Sequence, residues 1–108
     1  MYFHSPENRP VKDLLPGVHA RTFWGEQLLL AVVNLDAEAI IPDHSHPHEQ
    51  GGIVLSGEVE FTIAGKVKLL RPGDLYIIPG GVNHSVKVGR EPAQVMDIFS
   101  PVREEYKY

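Results

Sequence analysis

Glycine and proline cut this chain into short runs from Val18 to Phe99, and none of those runs carries a sustained helical period. The breaks fall at Ser56-Gly57, Ala64-Gly65-Lys66, Arg71-Pro72-Gly73-Asp74, Pro79-Gly80-Gly81 and Gly89-Arg90-Glu91-Pro92. Between them the residues read as strands: Val18 to Trp24, Gln27 to Asp36, Ile53 to Leu55, Glu58 to Ile63, Val67 to Leu70, Leu75 to Ile78, Ser85 to Val88 and Ala93 to Phe99. The clearest alternation is Glu58-Val59-Glu60-Phe61-Thr62-Ile63, which puts Val59, Phe61 and Ile63 on one face. Many short strands with regular turns predict an all-β sandwich or barrel. A length of 108 residues fits one domain, 1–108, with a core over 18–100. Residues 1–10 and 104–108 read as terminal arms, mobile unless docked.

Charge and composition exclude several classes of function. The formal charge is −4 with acids and bases mixed along the chain, so no basic stripe points to nucleic acid. Residues 1–10 are polar and contain prolines, which does not fit a secretory signal. The longest apolar run, Leu28 to Val33, is too short to span a bilayer. With no cysteine, a disulfide framework, a zinc ribbon and a thiol nucleophile are all ruled out. The cytoplasm is the expected compartment.

The chemistry concentrates in His44-Ser45-His46-Pro47-His48-Glu49-Gln50. Imidazole is the commonest metal ligand. In an extended strand, residues two apart share a face at roughly 6.6 Å, two rises of ~3.3 Å. Two imidazoles so placed can lean onto one ion at ~2.0–2.1 Å from each nitrogen. His44 and His46 meet that requirement, and Gln50 has the same parity if the strand stays regular past Pro47. Glu49 is the rival acidic ligand, but on a regular strand it faces away from His46. His48 stands between the ligand positions, where it either touches the ion or lines the mouth. His4 and His19 read as surface residues.

Further on, Gly73, Pro79, Gly81 and His84 follow the spacing G-x5-P-x-G-x2-H. With His44, His46, Gln50 and Gly57 before them, these residues carry a resemblance to the cupin superfamily and both its motifs. The chain departs from the first motif twice: Glu38 stands where a glycine is usual, and Gln50 where a glutamate is usual. The resemblance implies a double-stranded β-helix, a jelly-roll-like barrel. It also implies one divalent metal ion per chain (Ni, Zn, Fe, Mn or Co) held by His44, His46, Gln50 and His84. Neutral imidazoles and an amide leave such an ion its full charge, which favours anionic ligands and Lewis-acid chemistry over oxygen activation.

The C-terminal run Asp97-Ile98-Phe99-Ser100-Pro101-Val102-Arg103-Glu104-Glu105-Tyr106 is a second constellation. Asp97 and Phe99 share one strand face, Met96 and Ile98 the other. Either the Asp97 face is the barrel lumen, with Ile98 packed on the opposing sheet, or Asp97 is an outward edge residue and Arg103 a solvated charge. Taken with His-Ser-His-Pro-His-x-Gln, the pattern resembles the small cupins of pectin and alginate breakdown. That likeness implies conversion of 4,5-unsaturated monouronates to linear keto-sugar acids. Asp97 would then be the general acid/base, Arg103 the clamp for an anionic sugar-acid substrate, and Phe99 part of the pocket. The alternatives are a metal-dependent dioxygenase and a non-catalytic binding or sensor module. Gly51-Gly52 replace the bulkier residues usual in such cupins, so a wider pocket is expected. More apolar faces than one lumen can hide predict a homodimer.

Overall fold

The computed structural model describes residues 2–108. Among the described residues ten strands run β1 (Lys12–Leu15), β2 (Val18–Trp24), β3 (Leu29–Leu35), β4 (Ile40–His44), β5 (Glu49–Ser56), β6 (Val59–Ile63), β7 (Lys66–Leu70), β8 (Leu75–Ile78), β9 (His84–Val88) and β10 (Ala93–Ser100). They form two antiparallel sheets, one of six strands in the order β1-β2-β3-β10-β5-β8 and one of four in the order β4-β9-β6-β7. The all-β architecture expected from the turn punctuation is what the chain adopts.

The core lies between the sheets because alternation gives each strand one apolar face. In β3, Leu29, Ala31, Val33 and Leu35 are buried while Leu30, Val32 and Asn34 are only partly so. Val59 and Phe61 of β6 oppose them, and Ile63 is partly buried at the edge of the same cluster. Burying a side chain such as Leu29 or Ile78 completely stabilises the fold by about 1.5–3 kcal/mol.

Register sets the inner face of the larger sheet in rows. Leu29, Phe99, Gln50 and Ile78 form one row across β3, β10, β5 and β8, and Ala31, Asp97, Gly52 and Tyr76 form the next. Outward rows alternate with these: Leu30-Ile98-Gly51-Ile77 and Val32-Met96-Ile53-Leu75. Ile98 therefore does not pack on the opposing sheet, as one sequence reading had it. It is 38% exposed on the outer face, beside Leu75 and Ile77 at more than 70%. An unbroken apolar patch of this kind is unusual on a monomer.

The seven residues from His44 to Gln50 are not one strand. β4 ends at His44 and β5 begins at Glu49. Proline lacks the N–H that a ladder needs, so pairing stops around Pro47. The terminal arms are docked. Arg9 donates from Nε to the Thr22 carbonyl (3.0 Å) and from Nη2 to the Tyr108 carbonyl (3.0 Å), and the Thr22 hydroxyl donates to the Tyr106 carbonyl (2.6 Å).

Glu38, standing where the motif has glycine, takes a left-handed conformation with φ +63° in the turn from β3 to β4. That turn is closed by Ala39 N–H donating to Asp36 O (3.1 Å) and Glu38 N–H to Gly89 O (2.8 Å). An L-residue there costs about 1–2 kcal/mol, whereas glycine's extra chain entropy costs only about 0.5–1 kcal/mol. The Glu38 side chain is exposed and adds little in return. Glu38→Gly is expected to raise stability by up to about 1 kcal/mol, read as a higher urea midpoint at unchanged slope. A lower midpoint would mean that the Glu38 side chain has a stabilising role of its own.

Candidate metal centre and its cavity

Two elements of the smaller sheet and one loop bring three imidazoles together. His44 at the end of β4 and His84 at the start of β9 are direct cross-strand partners, with ring centroids 4.2 Å apart. His46 comes from the loop between β4 and β5, and its ring lies 5.0 Å from that of His84. The loop is held by the turn after β8: Gly81 N–H donates to His46 O at 2.8 Å. The same turn presses Gly80 against it so closely that a Cβ there would sit 2.3 Å from Pro47 O. Gly81 of the second motif, with Gly80 beside it, thus pins the loop that carries the first motif's second histidine.

Each ring is oriented by a backbone carbonyl. His44 Nδ1 donates to Pro42 O (2.9 Å), His84 Nδ1 to Val82 O (2.9 Å) and His46 Nδ1 to His48 O (3.1 Å). A carbonyl only accepts, so each Nδ1 carries the proton and each neutral ring keeps its lone pair on Nε2. One ring nitrogen from each of the three histidines lies within 4.8 Å of the others. Burial pushes the pKa of His46 and His84 below the ordinary imidazole value, assisted at His46 by the nearby Arg103 charge. Both rings are therefore neutral near pH 7.

This donor set fits a cation. His84 Nε2 is buried with no hydrogen-bond partner. His46 Nε2 faces Gln50 Oε1 at 3.0 Å, so two acceptor atoms meet with no proton required by either. Orphaned acceptors of this kind are costly unless an ion or a proton satisfies them. The centre could hold a metal ion through His44, His46 and His84, with the Gln50 oxygen beside them.

The other sequence candidates fall around the same space. Glu49 is exposed, on the outward parity expected of it. His48 lies outside the three-histidine group, its ring 5.7 Å from that of His46, and its Nδ1 is buried without a partner. His19 is more than a surface residue: its ring stands between Asp13 (2.6 Å) and Asp36 (3.1 Å), whose hydrogen bonds raise its pKa.

A cavity of about 540 Å³ opens beside the histidines. Asp97, Phe99 and Arg103 line it together with His44, His84 and Gln50, so the lumen alternative for the Asp97 face is the one the chain adopts. Asp97 retains some surface, but protein surrounds its carboxyl group, and that desolvation lifts its pKa to about 6. Tyr76, Gln50 and Arg103 all act in the opposite direction, favouring the carboxylate. Arg103 stacks over Tyr106 (4.0 Å to the ring centroid) and Phe99 (5.2 Å), and its Nε donates to Glu105 at 2.9 Å.

Gly51 and Gly52 do not widen this pocket. Gly51 belongs to the outward row, and the space beside Gly52 is filled by Tyr76. Tyr76 was legible in the sequence only as a strand residue. It is buried at 6% exposure, and its hydroxyl donates to Asp97 Oδ1. Its even parity with Ile78 was the available signal, but the register that brings it to Gly52 was not.

Residues 31–99 match the cupin domain family. The pectin degradation protein KdgF of Dickeya dadantii (strain 3937) is 30% identical over 107 residues, covering 97% of this chain and 96% of that protein. The structure of KdgF from Halomonas sp. superposes with a TM-score of 0.90 at 27% identity, covering 97% of each chain. An RmlC-like cupin from Shewanella frigidimarina NCIMB 400 superposes with a TM-score of 0.92 at 26% identity, over 98% of this chain and 96% of that one. With its two sheets, its histidine-lined cavity and these relatives, the chain belongs to the cupin domain family.

Proposed function

We propose that this cupin is an enzyme that opens 4,5-unsaturated monouronates to linear keto-sugar acids, with one divalent metal ion held by His44, His46, Gln50 and His84. The observation that carries the reading is the meeting of Asp97, Phe99 and Arg103 with His44, His84 and Gln50 on one cavity, in a chain related along its length to a pectin degradation protein. The reaction is an isomerisation. A proton leaves the C1 hydroxyl, the C1–O5 bond breaks, and a proton reaches C4, so an aldehyde forms at C1 and a ketone at C5. A bound divalent ion would supply Lewis-acid polarisation of a substrate oxygen. Asp97 moves the proton, being the carboxylate on the cavity wall. Arg103 grips the substrate carboxylate through its two terminal nitrogens, since Nε is engaged by Glu105. Tyr106 and Phe99 support the guanidinium through their ring faces, at 4.0 and 5.2 Å from the centroids.

The test is loss of the conjugated-alkene absorbance of an unsaturated monouronate without oxygen uptake. Turnover with oxygen consumed would point instead to a dioxygenase, and no turnover of any monouronate would refute the substrate assignment. A cytoplasmic location belongs to the same proposal. Among the described residues, no helix is long and apolar enough to cross a membrane.

The same reading includes a homodimer paired through the outer rows of the larger sheet, where Leu75, Ile77 and Ile98 are exposed. Ile98→Asp is expected to give a monomer in sedimentation equilibrium at micromolar concentration. A monomeric wild type under the same conditions would contradict the pairing.

A further inference from the structure

Asp97 is held by a neighbour two strands away. Asp97 on β10, Gly52 on β5 and Tyr76 on β8 occupy one inward-facing row. Strands two apart are separated by roughly 9.5 Å, two spacings of ~4.7–4.9 Å. A side chain can cross that gap only if the strand between offers none of its own. Gly52 provides the opening: a Cβ there would lie 2.3 Å from both Cζ and Oη of Tyr76. The ring crosses above the glycine and its hydroxyl donates to Asp97 Oδ1. From the opposite sheet, Phe61 lies against the same ring, with centroids 4.2 Å apart at 33°. Tyr76 is not among the residues that line the cavity. Besides packing in the core, it bears on the cavity through Asp97. Burial drives its pKa well above the usual phenol value, so it remains a hydroxyl and a donor at any working pH.

We propose that Tyr76 is a positioning residue: its hydroxyl fixes the Asp97 carboxylate against the cavity, and Gly52 is required because only glycine leaves room for the crossing ring. Tyr76 ties Oδ1 to one fixed donor. The carboxylate is then held in one rotamer before substrate arrives, which lowers the ordering needed in the transition state. The inference rests on the reading of Asp97 as the proton-transfer group.

Tyr76→Phe keeps the ring and removes only the hydroxyl. It is expected to lower kcat on an unsaturated monouronate up to about a hundredfold, the scale of a misplaced reacting group. KM should stay within about twofold, since a group outside the cavity does not bind the ground state. Metal content should be unchanged. Gly52→Ala should reproduce the loss by displacing the ring, and Tyr76→Phe suffices if that variant fails to fold. In an Asp97→Ala background, Tyr76→Phe should have no further effect, because the two changes remove one interaction.

Wild-type kcat in Tyr76→Phe, or an equal loss in the Asp97→Ala background, would overturn the proposal. A second readout does not need turnover. Proton NMR of the metal-loaded protein should show one slowly exchanging tyrosine hydroxyl, present in the wild type and absent from Tyr76→Phe, Asp97→Ala and Gly52→Ala. If the wild type turns over no monouronate, the substrate reading fails. That resonance still decides the positioning role: its pattern of loss supports it, and its absence from the wild type overturns it.

Discussion

Asp97→Ala should reduce kcat on an unsaturated monouronate by about 10²–10⁴-fold, the usual contribution of a positioned general acid or base. The variant should keep its metal and its fold. It lacks the carboxylate on the cavity wall, while His44, His46 and His84 are untouched. Some stability is also expected to be lost, because the buried Tyr76 hydroxyl is left without an acceptor at a cost of about 1–3 kcal/mol. Asp97→Asn keeps the shape and an acceptor oxygen, so it should separate the two effects: low kcat with little loss of stability. Arg103→Ala should act differently, raising KM because a carboxylate clamp binds the ground state as well as the transition state. Glu49→Ala is the control, being exposed and directed away from the cavity. Steady-state kinetics with all four variants makes the comparison. Full activity in Asp97→Ala would remove Asp97 from the mechanism.

The double variant His46→Ala/His84→Ala should lose the metal ion and all turnover together. Elemental analysis of protein purified without an affinity tag is expected to show close to one divalent ion per wild-type chain and almost none in the variant. Stability gives a second measure. Free metal at a hundredfold its dissociation constant stabilises the native state by about 2.7 kcal/mol. For a chain of this size that raises Tm on the order of 10 °C. The double variant should show no such rise. Its unliganded form should also be less stable than the wild type, since His84 and His46 are buried and their truncation leaves a cavity and two unpaired carbonyls. A wild-type chain that stays metal-free after incubation with Mn, Fe, Co, Ni and Zn would exclude this centre.

Much of the fold was legible along the chain because its signals are local. Turn chemistry at Gly57, Gly65, Gly73 and Gly81 puts each of these glycines at positive φ, and the alternation of Val59, Phe61 and Ile63 gives β6 its inward face. The spacing of His44, His46, Gln50 and His84 also reads directly, since candidate ligands for one ion must recur where the chain returns to one place, and the three histidines do meet. Even Glu38 was visible as an exception, and its left-handed backbone shows what the missing glycine would have supplied. The condition that the strand stay regular past Pro47 is not met, and the reason is local: proline has no N–H to give the ladder.

What the sequence could not decide is how strands meet. The side-chain period of a strand says which residues share a face, but not which residue of another strand stands opposite. That register is set by packing among residues far apart in the chain. It turned Gly52 from an expected opening in the pocket into the passage through which Tyr76 reaches Asp97. Tertiary contact likewise placed His46, through a loop pinned by Gly80 and Gly81, and docked the C-terminal arm by hydrogen bonds from Arg9 and Thr22. The sequence by itself determined most of the strands and turns and the candidate ligand types, but not β1 or β4. Only the folded chain decided which side chains share the cavity, because that depends on cross-strand neighbours that no local period encodes.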